Sequence, residues 1–218
     1  MRTFVFDVDK GAMSAASTKT SELLIANGFP PIQRHLIKAW PVFTYADFES
    51  GINFFWNNRN YFDLAVVDTA TELQKIVMKE TKARNKHVFA DQRDWGVTLD
   101  VLENATSLFR DMGKHSLFLA HESEVFDPNA QCNNFRASFQ GSFAQGYRRH
   151  FSLIMRYMMV NQQVPGPNQQ LVNQTIRCLD CHKDIYNDCK DRSSALQKYE
   201  VPIIDNIFYK VLTAINPQ

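Results

Sequence analysis

The sequence predicts an α/β fold with a mostly parallel sheet, helices on both of its faces and a C-terminal β-hairpin. Strand-like and helix-like segments alternate along most of the chain, a pattern typical of parallel sheets. Two strand-like segments, Phe62–Val67 and Ser116–Ala120, are nearly continuous apolar runs, as expected of strands buried on both faces. Near the C-terminal end, the polar stretch Asn161–Gln174 separates two strand-like runs. We interpret this stretch as the long tip of a hairpin.

The alternation of patterns gives an ordered set of elements. The predicted strands are Thr3–Val8, Pro41–Tyr45, Phe62–Val67, Ser116–Ala120, Ser152–Val160 and Thr175–Cys181. The predicted helices are Ser21–Asn27, Asp47–Trp56, Ala70–Arg84, Val97–Met112, Ser142–Phe151 and Pro202–Ile215. Because no internal repeat interrupts this order, we predict one domain over residues 1–218.

Charge and composition exclude several classes of protein. The 218 residues carry 24 Lys and Arg against 23 Asp and Glu, so any contact with nucleic acid must be local. The longest apolar run, around Leu153–Val160, is interrupted by Arg156 and is too short to span a bilayer. The first residues form a strand-like run that contains Asp7, which neither a signal peptide nor a transit peptide would carry. We therefore expect a cytoplasmic protein with no membrane partner.

Three predicted strands are followed by ionisable residues, at the edge of the sheet where α/β proteins bind ligands. Asp68 there could hold Mg²⁺ through water or could cap the following helix. His121 could sense a phosphate or have a structural role, and Asp9 could orient an attacking water or cap a turn at Gly11. We predict that the third and fourth strands are parallel neighbours, which places Asp68 and His121 side by side.

Aromatic and basic residues follow the fourth predicted strand. Rings stack on bases while guanidinium groups bind phosphates, a combination that suits single-stranded DNA, although a solvated loop is the alternative. The candidate DNA-binding residues are Phe135, Arg136, Tyr147, Arg148 and Arg149. The basic stretch Lys82–Arg93 is the second candidate surface.

The C-terminal third contains two further groups of interest. Cys178, Cys181 and Cys189 have metal-like spacing in part, but they are crowded into one strand and turn, so buried thiols are favoured over a metal site. Lys190 and Arg192 lie two residues apart and face the same side of an extended chain. They could reach a neighbouring subunit's phosphates or remain solvated.

Four segments together carry a resemblance to a known family: "FVFDVDKGAMSA", "YADFESGINFFWNNRNYFDLAVVDTATELQ", "DWGVTLDVLENATSLFRDMGKHSLFLAHE" and "CKDRSSAL". In their order and spacing the chain resembles the RecA-like P-loop ATPases, and in particular the phage-encoded members that act in recombination and single-strand annealing. The resemblance implies ATP and Mg²⁺ as cofactors, single-stranded DNA as a partner, and a homo-oligomer.

The resemblance also implies a role for individual residues. Asp68 matches the Walker B acid, which holds Mg²⁺ through water, and His121 matches the sensor on the next strand. Asp9 lies where the family has its catalytic glutamate. Ser123–Gln140 corresponds to a mobile DNA-facing loop. Lys190 and Arg192 match the K-x-R element that reaches a neighbour's nucleotide.

The chain departs from this family at the phosphate-binding loop. A G-x-x-x-x-G-K-[ST] motif would precede the segment Phe4–Gly11, and the nearest substitute, Gly11–Thr20, has Thr18 where the motif needs glycine. We therefore expect this chain alone to bind ATP weakly or not at all. A partner chain carrying the loop, or a single-strand binding protein, is then an expected partner. The alternative is a non-catalytic structural or interaction protein on a repurposed RecA-like fold.

Overall fold

The computed structural model describes residues 2–11, 22, 25, 36–129, 131–165, 171–184, 187–194 and 196–200. They divide into two compact units, Met1–His121 with Ala137–Gln145, and Glu122–Arg136 with Gly146–Gln218. The predicted helices Ser21–Asn27 and Pro202–Ile215 lie, apart from Glu22 and Ile25, outside the described residues. Among the described helices, none combines the length and the apolar character needed to cross a membrane.

The first unit is built on a parallel four-stranded sheet with the order β2-β1-β3-β4. Its strands are β1 (Thr3–Asp7), β2 (Ile37–Pro41), β3 (Leu64–Asp68) and β4 (His115–Phe118). Its helices are α1 (Tyr45–Asn57), α2 (Ala70–Asn85) and α3 (Gln92–Asp111), and a short α4 (Phe143–Gly146) follows later in the chain. In the β3–β4 register Val67 lies opposite Phe118, which confirms the predicted parallel pairing of these strands.

Alternation along β1 gives the sheet two apolar faces. Phe4 and Phe6 are fully buried on one face, where Phe6 meets Phe48 of α1 and Phe109 of α3. A methyl group at Gly51 would lie 2.9 Å from the ring of Phe6, so α1 packs directly on the sheet. The other face carries a cluster of Val5, Leu64 and Val66, together with partly buried residues of β2 and β4. Both faces are thus apolar, as predicted, and helices on the second face remain a prediction.

Capping boxes set two helix boundaries that the sequence prediction placed wrongly. Thr44 and Asp47 cap each other's backbone N–H groups at the start of α1. Residues 44 and 45 therefore begin a helix, so the predicted strand Pro41–Tyr45 is wrong, and the strand in this part of the chain is β2, which ends at Pro41. Asp91 and Asp94 form the same motif at the start of α3, which begins at Gln92, five residues before the predicted Val97.

The second unit consists mainly of antiparallel strands. They are β5 (Glu122–Asp127), β6 (Cys132–Ala137), β7 (Leu153–Ile154), β8 (Arg156–Pro165), β9 (Leu171–Asp180), β10 (Lys190–Asp191) and β11 (Tyr199–Glu200). Pairing of β8 with β9 confirms the predicted C-terminal hairpin. The ladder continues to Pro165 opposite Leu171, so most of the predicted polar tip is strand, because backbone pairing does not require apolar side chains.

Two further predictions for this part of the chain are wrong. Ser123–Gln140 is not an irregular loop, because β5 and β6 form a two-stranded sheet across most of it. The turn between them is marked by Asn129, whose N–H donates to Asp127 Oδ1 at 2.8 Å. The predicted helix Ser142–Phe151 is reduced to α4 and a 3₁₀ turn at Tyr147–Arg149, since the helix ends at Gly146.

Candidate functional site

Ionisable side chains meet at the C-terminal edge of the parallel sheet. Asp7 ends β1 directly opposite Asp68, which ends β3. Beyond the strand, the N–H groups of Val8 and Asp9 both donate to the Asp68 carbonyl, at 2.7 and 3.0 Å. This extension of the pairing brings the carboxylates of Asp7, Asp9 and Asp68 close enough to interact electrostatically.

His121 is fixed at the same edge by contacts with the start of α2. Its backbone N–H donates to Thr71 Oγ1 at 3.0 Å, and the preceding Leu119 N–H donates to the Val67 carbonyl at 3.0 Å. The imidazole lies between two carboxylates, with Nε2 3.3 Å from Asp9 Oδ2 and Nδ1 3.6 Å from Glu72 Oε1. Half of the side chain remains exposed.

The charges at this edge are not balanced. Partial burial raises the pKa of Asp68, repulsion by Asp9 and Asp7 raises it further, and His121 partly offsets this. Ligand atoms of Asp9, Glu72 and His121 all lie within 4.8 Å of one another. Converging carboxylate oxygens are the ligands that hard divalent cations prefer, so this edge can hold one. We call Asp7, Asp9, Asp68, Glu72 and His121 the acidic edge.

The structure brings together three of the residues that the sequence predicted for a site, namely Asp9, Asp68 and His121. Their catalytic roles remain predictions. Sequence reasoning missed Asp7 and Glu72 as members. Glu72 carries a recognisable signal, since it lies three residues after the helix cap Thr69, at the start of the helix that follows Asp68.

Lys190 and Arg192 lie in the second unit, where both donate to backbone carbonyls. Lys190 Nζ donates to the carbonyls of Arg148 and Phe151, at 2.6 and 2.7 Å, and burial lowers the pKa of Lys190. Arg192 Nη2 donates to the carbonyl of Arg149 at 3.4 Å. These contacts join β10 to the preceding turn, and a reach towards a neighbour's nucleotide remains a prediction.

The candidate DNA-binding residues of the second unit are largely engaged within it. Tyr147 is buried, and Arg148 Nη1 lies 3.3 Å from Asp188 Oδ1. The guanidinium of Arg156 covers the ring of Phe135 at 3.7 Å from its centroid. The remaining residues, Arg136 and Arg149, are partly exposed or exposed. Stacking of DNA bases on this surface remains a prediction.

The buried cysteines behave as core thiols. Burial raises the pKa values of Cys181 and Cys189 to about 12, so both are protonated thiols in the metal-free protein. In the described part of the chain, two groups of ligand atoms converge, Asp9 with Glu72 and His121, and His87 with Asp91 and Asp94. Neither group contains a cysteine.

The second converging group closes the turn between α2 and α3. His87 Nδ1 lies 2.9 Å from Oδ2 of Asp94, whose side chain is 0% exposed. Asp94 also accepts hydrogen bonds from Asn85 Nδ2 at 2.7 Å and from the Asp91 N–H at 3.1 Å. Burial alone would raise the pKa of Asp94, but these hydrogen bonds lower it to about 2. The bond to Asp94 raises the pKa of His87.

Comparison with known proteins gives one match, to a family model. No curated protein and no solved structure matches the chain. A family model described as an AAA domain matches residues 1–193, a range that includes the whole parallel sheet and the acidic edge. The chain therefore belongs to the AAA domain family and carries an ATPase-like domain of the P-loop class.

Proposed function

We propose that this protein is a RecA-like member of the P-loop ATPases, of the phage type that acts in DNA recombination and single-strand annealing. One observation carries the proposal: Asp9, Asp68, Glu72 and His121 converge at the C-terminal edge of a parallel sheet. Family membership supports nucleotide and Mg²⁺ binding in general. Recombination and single-stranded DNA as the partner are the more specific parts of the proposal.

The residues at the acidic edge fit a magnesium ion. Asp68 is partly buried beside two further carboxylates. Burial raises its pKa, repulsion by Asp9 and Asp7 raises it further, and a bound cation would relieve that repulsion. Asp68 and Asp9 would hold the ion, directly or through water. Bound Mg²⁺ would supply charge neutralisation for nucleotide phosphates. His121, oriented by Thr71 through its backbone, places an imidazole beside Asp9 and Glu72.

The phosphate cradle is the remaining requirement of this proposal. Lys19 and Thr20, which offer the nearest match to a phosphate loop, lie outside the described residues. We propose that a partner polypeptide supplies the loop, and that Lys190 and Arg192 of a neighbouring copy approach the nucleotide after leaving their carbonyl partners. Oligomerisation through this contact is part of the proposal.

Isothermal titration with MgCl₂, followed by ATP, tests the proposal. We expect weak Mg²⁺ binding that Asp68→Asn reduces at least about tenfold, because a carboxylate ligand is lost. Asp100→Asn removes an equal charge from an exposed position on α3 and should leave binding unchanged.

Absence of Mg²⁺ binding, or binding that Asp68→Asn leaves unaltered, contradicts the proposed site. A chain that binds neither Mg²⁺ nor ATP, alone or with candidate loop-bearing partners, favours a non-catalytic interaction protein. Tight Mg-ATP binding by the chain alone would instead place the phosphate loop at Lys19 and Thr20.

A further inference from the structure

A cleft of about 400 Å³ lies beside α2, in the same unit as the acidic edge but lined by none of its residues. Its walls come from α2, from His87 and Trp95, and from Ser138 and Gln140. Three lysines and one histidine line it, and none of the described residues that line it is acidic. Lys75 and His87 are ion-paired with Glu72 and Asp94, which do not line the cleft, so the positive charge offered to a ligand comes mainly from Lys79 and Lys82.

The lysines form a row along one face of α2. Lys75, Lys79 and Lys82 are separated by four and then three residues, which places them on the same side of a helix. The row extends over about 10 Å at the helical rise per residue. Lys75 is paired with Glu72, which connects one end of the row to the acidic edge. Lys79 is exposed, and Lys82 is partly exposed.

The cleft has walls that are held in place. Gln74, which is buried, donates from Nε2 to the Gln140 carbonyl at 3.0 Å and accepts from the Gln140 N–H at 2.9 Å. Trp95 packs so closely on Gly141 that a methyl group there would lie 2.9 Å from its ring. The buried Asp94 carboxylate holds His87 at the rim and favours its cationic form.

We propose that this cleft binds single-stranded DNA, with phosphates on the α2 lysines and a base against Trp95. A row of cations beside a fixed aromatic ring is the combination that binds single strands irrespective of sequence. Duplex DNA keeps its bases stacked inside, so it can reach the lysines but not the indole. The exposed Phe89, two residues beyond His87, provides a second aromatic surface on the same loop.

This inference depends on the proposed function only for the choice of nucleic acid as the ligand. It assigns DNA binding to the first unit, to residues separate from Asp9, Asp68 and His121. A failure here therefore leaves Mg²⁺ binding at the acidic edge unaffected, and that is measured separately by the MgCl₂ titration.

Fluorescence anisotropy of a labelled oligothymidylate of about 16 nucleotides tests the proposal. We expect Lys79→Gln/Lys82→Gln to weaken binding about five- to tenfold. The slope of log affinity against log salt should decrease by about 1.4, since each phosphate contact on a single strand contributes about 0.7. The control Lys38→Gln/Arg110→Gln removes the same charge at exposed positions outside the cleft and outside Lys82–Arg93, and should change neither quantity.

A second measurement reports on the indole. Binding of the oligonucleotide should quench part of the tryptophan fluorescence, and Trp95→Phe should remove that part. Trp56→Phe, at an exposed tryptophan of α1, should retain it. Duplex DNA should bind more weakly than the single strand and give no such quenching.

Several results would overturn the proposal. The first is a Lys79→Gln/Lys82→Gln protein that stays folded and binds as tightly as the control. Loss of binding in Arg136→Gln/Arg149→Gln, with the cleft variant unaffected, would place the DNA on the second unit instead. Equal competition by polyglutamate, with no effect of Trp95→Phe, would indicate an acidic protein segment as the ligand. A chain that binds no oligonucleotide would reject both this site and DNA as the partner.

Discussion

The first unit contains two histidine–carboxylate groups that differ in how many hydrogen bonds their carboxylates accept. At the acidic edge, His121 lies 3.3 and 3.6 Å from Asp9 and Glu72, and half of its side chain is exposed. In the α2–α3 turn, His87 lies 2.9 Å from Asp94, which is 0% exposed. Both groups present ligand atoms within 4.8 Å of one another, so proximity alone does not distinguish them.

The distinction lies in the other partners of each carboxylate. Asp94 accepts from His87, Asn85 and a backbone N–H, and its pKa is lowered to about 2. Asp68 lies beside Asp7 and Asp9, and burial and repulsion raise its pKa. A carboxylate surrounded by donors stabilises the fold, whereas neighbouring carboxylates disfavour the charged form and favour a bound cation. We therefore expect the His87–Asp94 group to stabilise the fold and propose the acidic edge as the ligand-binding group.

The largest expected effect is the loss of stability in Asp94→Ala. The substitution removes the acceptor of three hydrogen bonds and one half of the capping box of α3. We expect Tm to fall by about 8 °C, as for other buried, hydrogen-bonded carboxylates. Thermal unfolding by circular dichroism measures this change.

Asp9→Ala is the matched variant at the acidic edge. It should change Tm by less than about 2 °C in metal-free buffer, because it removes repulsion with Asp68 as well as a contact to His121. If the two variants lose equal stability, the assignment of the two groups to different roles is wrong.

The next effect is stabilisation by Mg²⁺, which should act through the acidic edge. At a free concentration ten times Kd, binding to the folded state adds about 1.4 kcal/mol to the free energy of unfolding. Asp68→Asn, with binding weakened at least about tenfold, should reduce this gain to about 0.4 kcal/mol or less. It should not lower Tm in EDTA, since the repulsion from Asp7 and Asp9 is relieved. Thermal scans of both proteins in EDTA and in MgCl₂ measure it, and an equal gain in Asp68→Asn would contradict the assignment.

Asn85→Ala should have a smaller effect on stability, through the His87–Asp94 group. Asn85 ends α2 and donates from Nδ2 to Asp94 Oδ1 at 2.7 Å, so its loss removes one of several donors. We expect the free energy of unfolding, from urea titration, to fall by about 1 kcal/mol. Asn57→Ala, at the exposed last residue of α1, is the matched control and should have little effect. Equal values for the two variants would show that the Asn85 bond is not stabilising.

The sequence predicted the parallel sheet well because its signals are local. The apolar runs at Phe62–Val67 and Ser116–Ala120 identified β3 and β4, and the polar residues that follow them identified Asp68 and His121. The prediction that β4 is buried on both faces is wrong, because β4 is an edge strand whose residues are exposed or half-buried. It could not reveal the contact of His121 with Glu72, since these residues are 49 positions apart and meet only through the β4–α2 packing. The pair β5–β6 was missed because polar residues occupy four of the six positions of β5 and three of the six positions of β6.

The same limitation explains why only one end of the α2 cleft, Lys82 and His87, falls within the second candidate stretch Lys82–Arg93. Lys75 and Lys79 alone look like the solvated face of a helix. The cleft exists only because Gln140, far along the chain, bonds to Gln74 and builds the opposite wall. Trp95 carried no local signal either, since its position depends on the capping box that starts α3.

The smallest expected effect is a pH dependence that separates the two groups by the pH range in which stability falls. Hydrogen bonding to Asp94 raises the pKa of His87 above its usual value of 6.5. The folded state therefore retains this proton more strongly than the unfolded state, so the stabilisation is complete below pH 6.5 and is lost as pH rises through the higher folded pKa. At Asp68 burial and then repulsion also raise the folded pKa, but from 3.8, so ionisation of Asp68 destabilises the metal-free protein as pH rises above that value. Thermal scans from pH 4 to pH 9 in EDTA should show Tm falling with pH in both ranges. His87→Gln should reduce only the fall above pH 6.5, and Asp68→Asn should reduce only the fall nearer pH 4. If either variant alters the fall in Tm in the other pH range, the two groups are coupled. The number of hydrogen bonds that a carboxylate accepts would then not by itself distinguish a structural histidine–carboxylate group from a ligand-binding one.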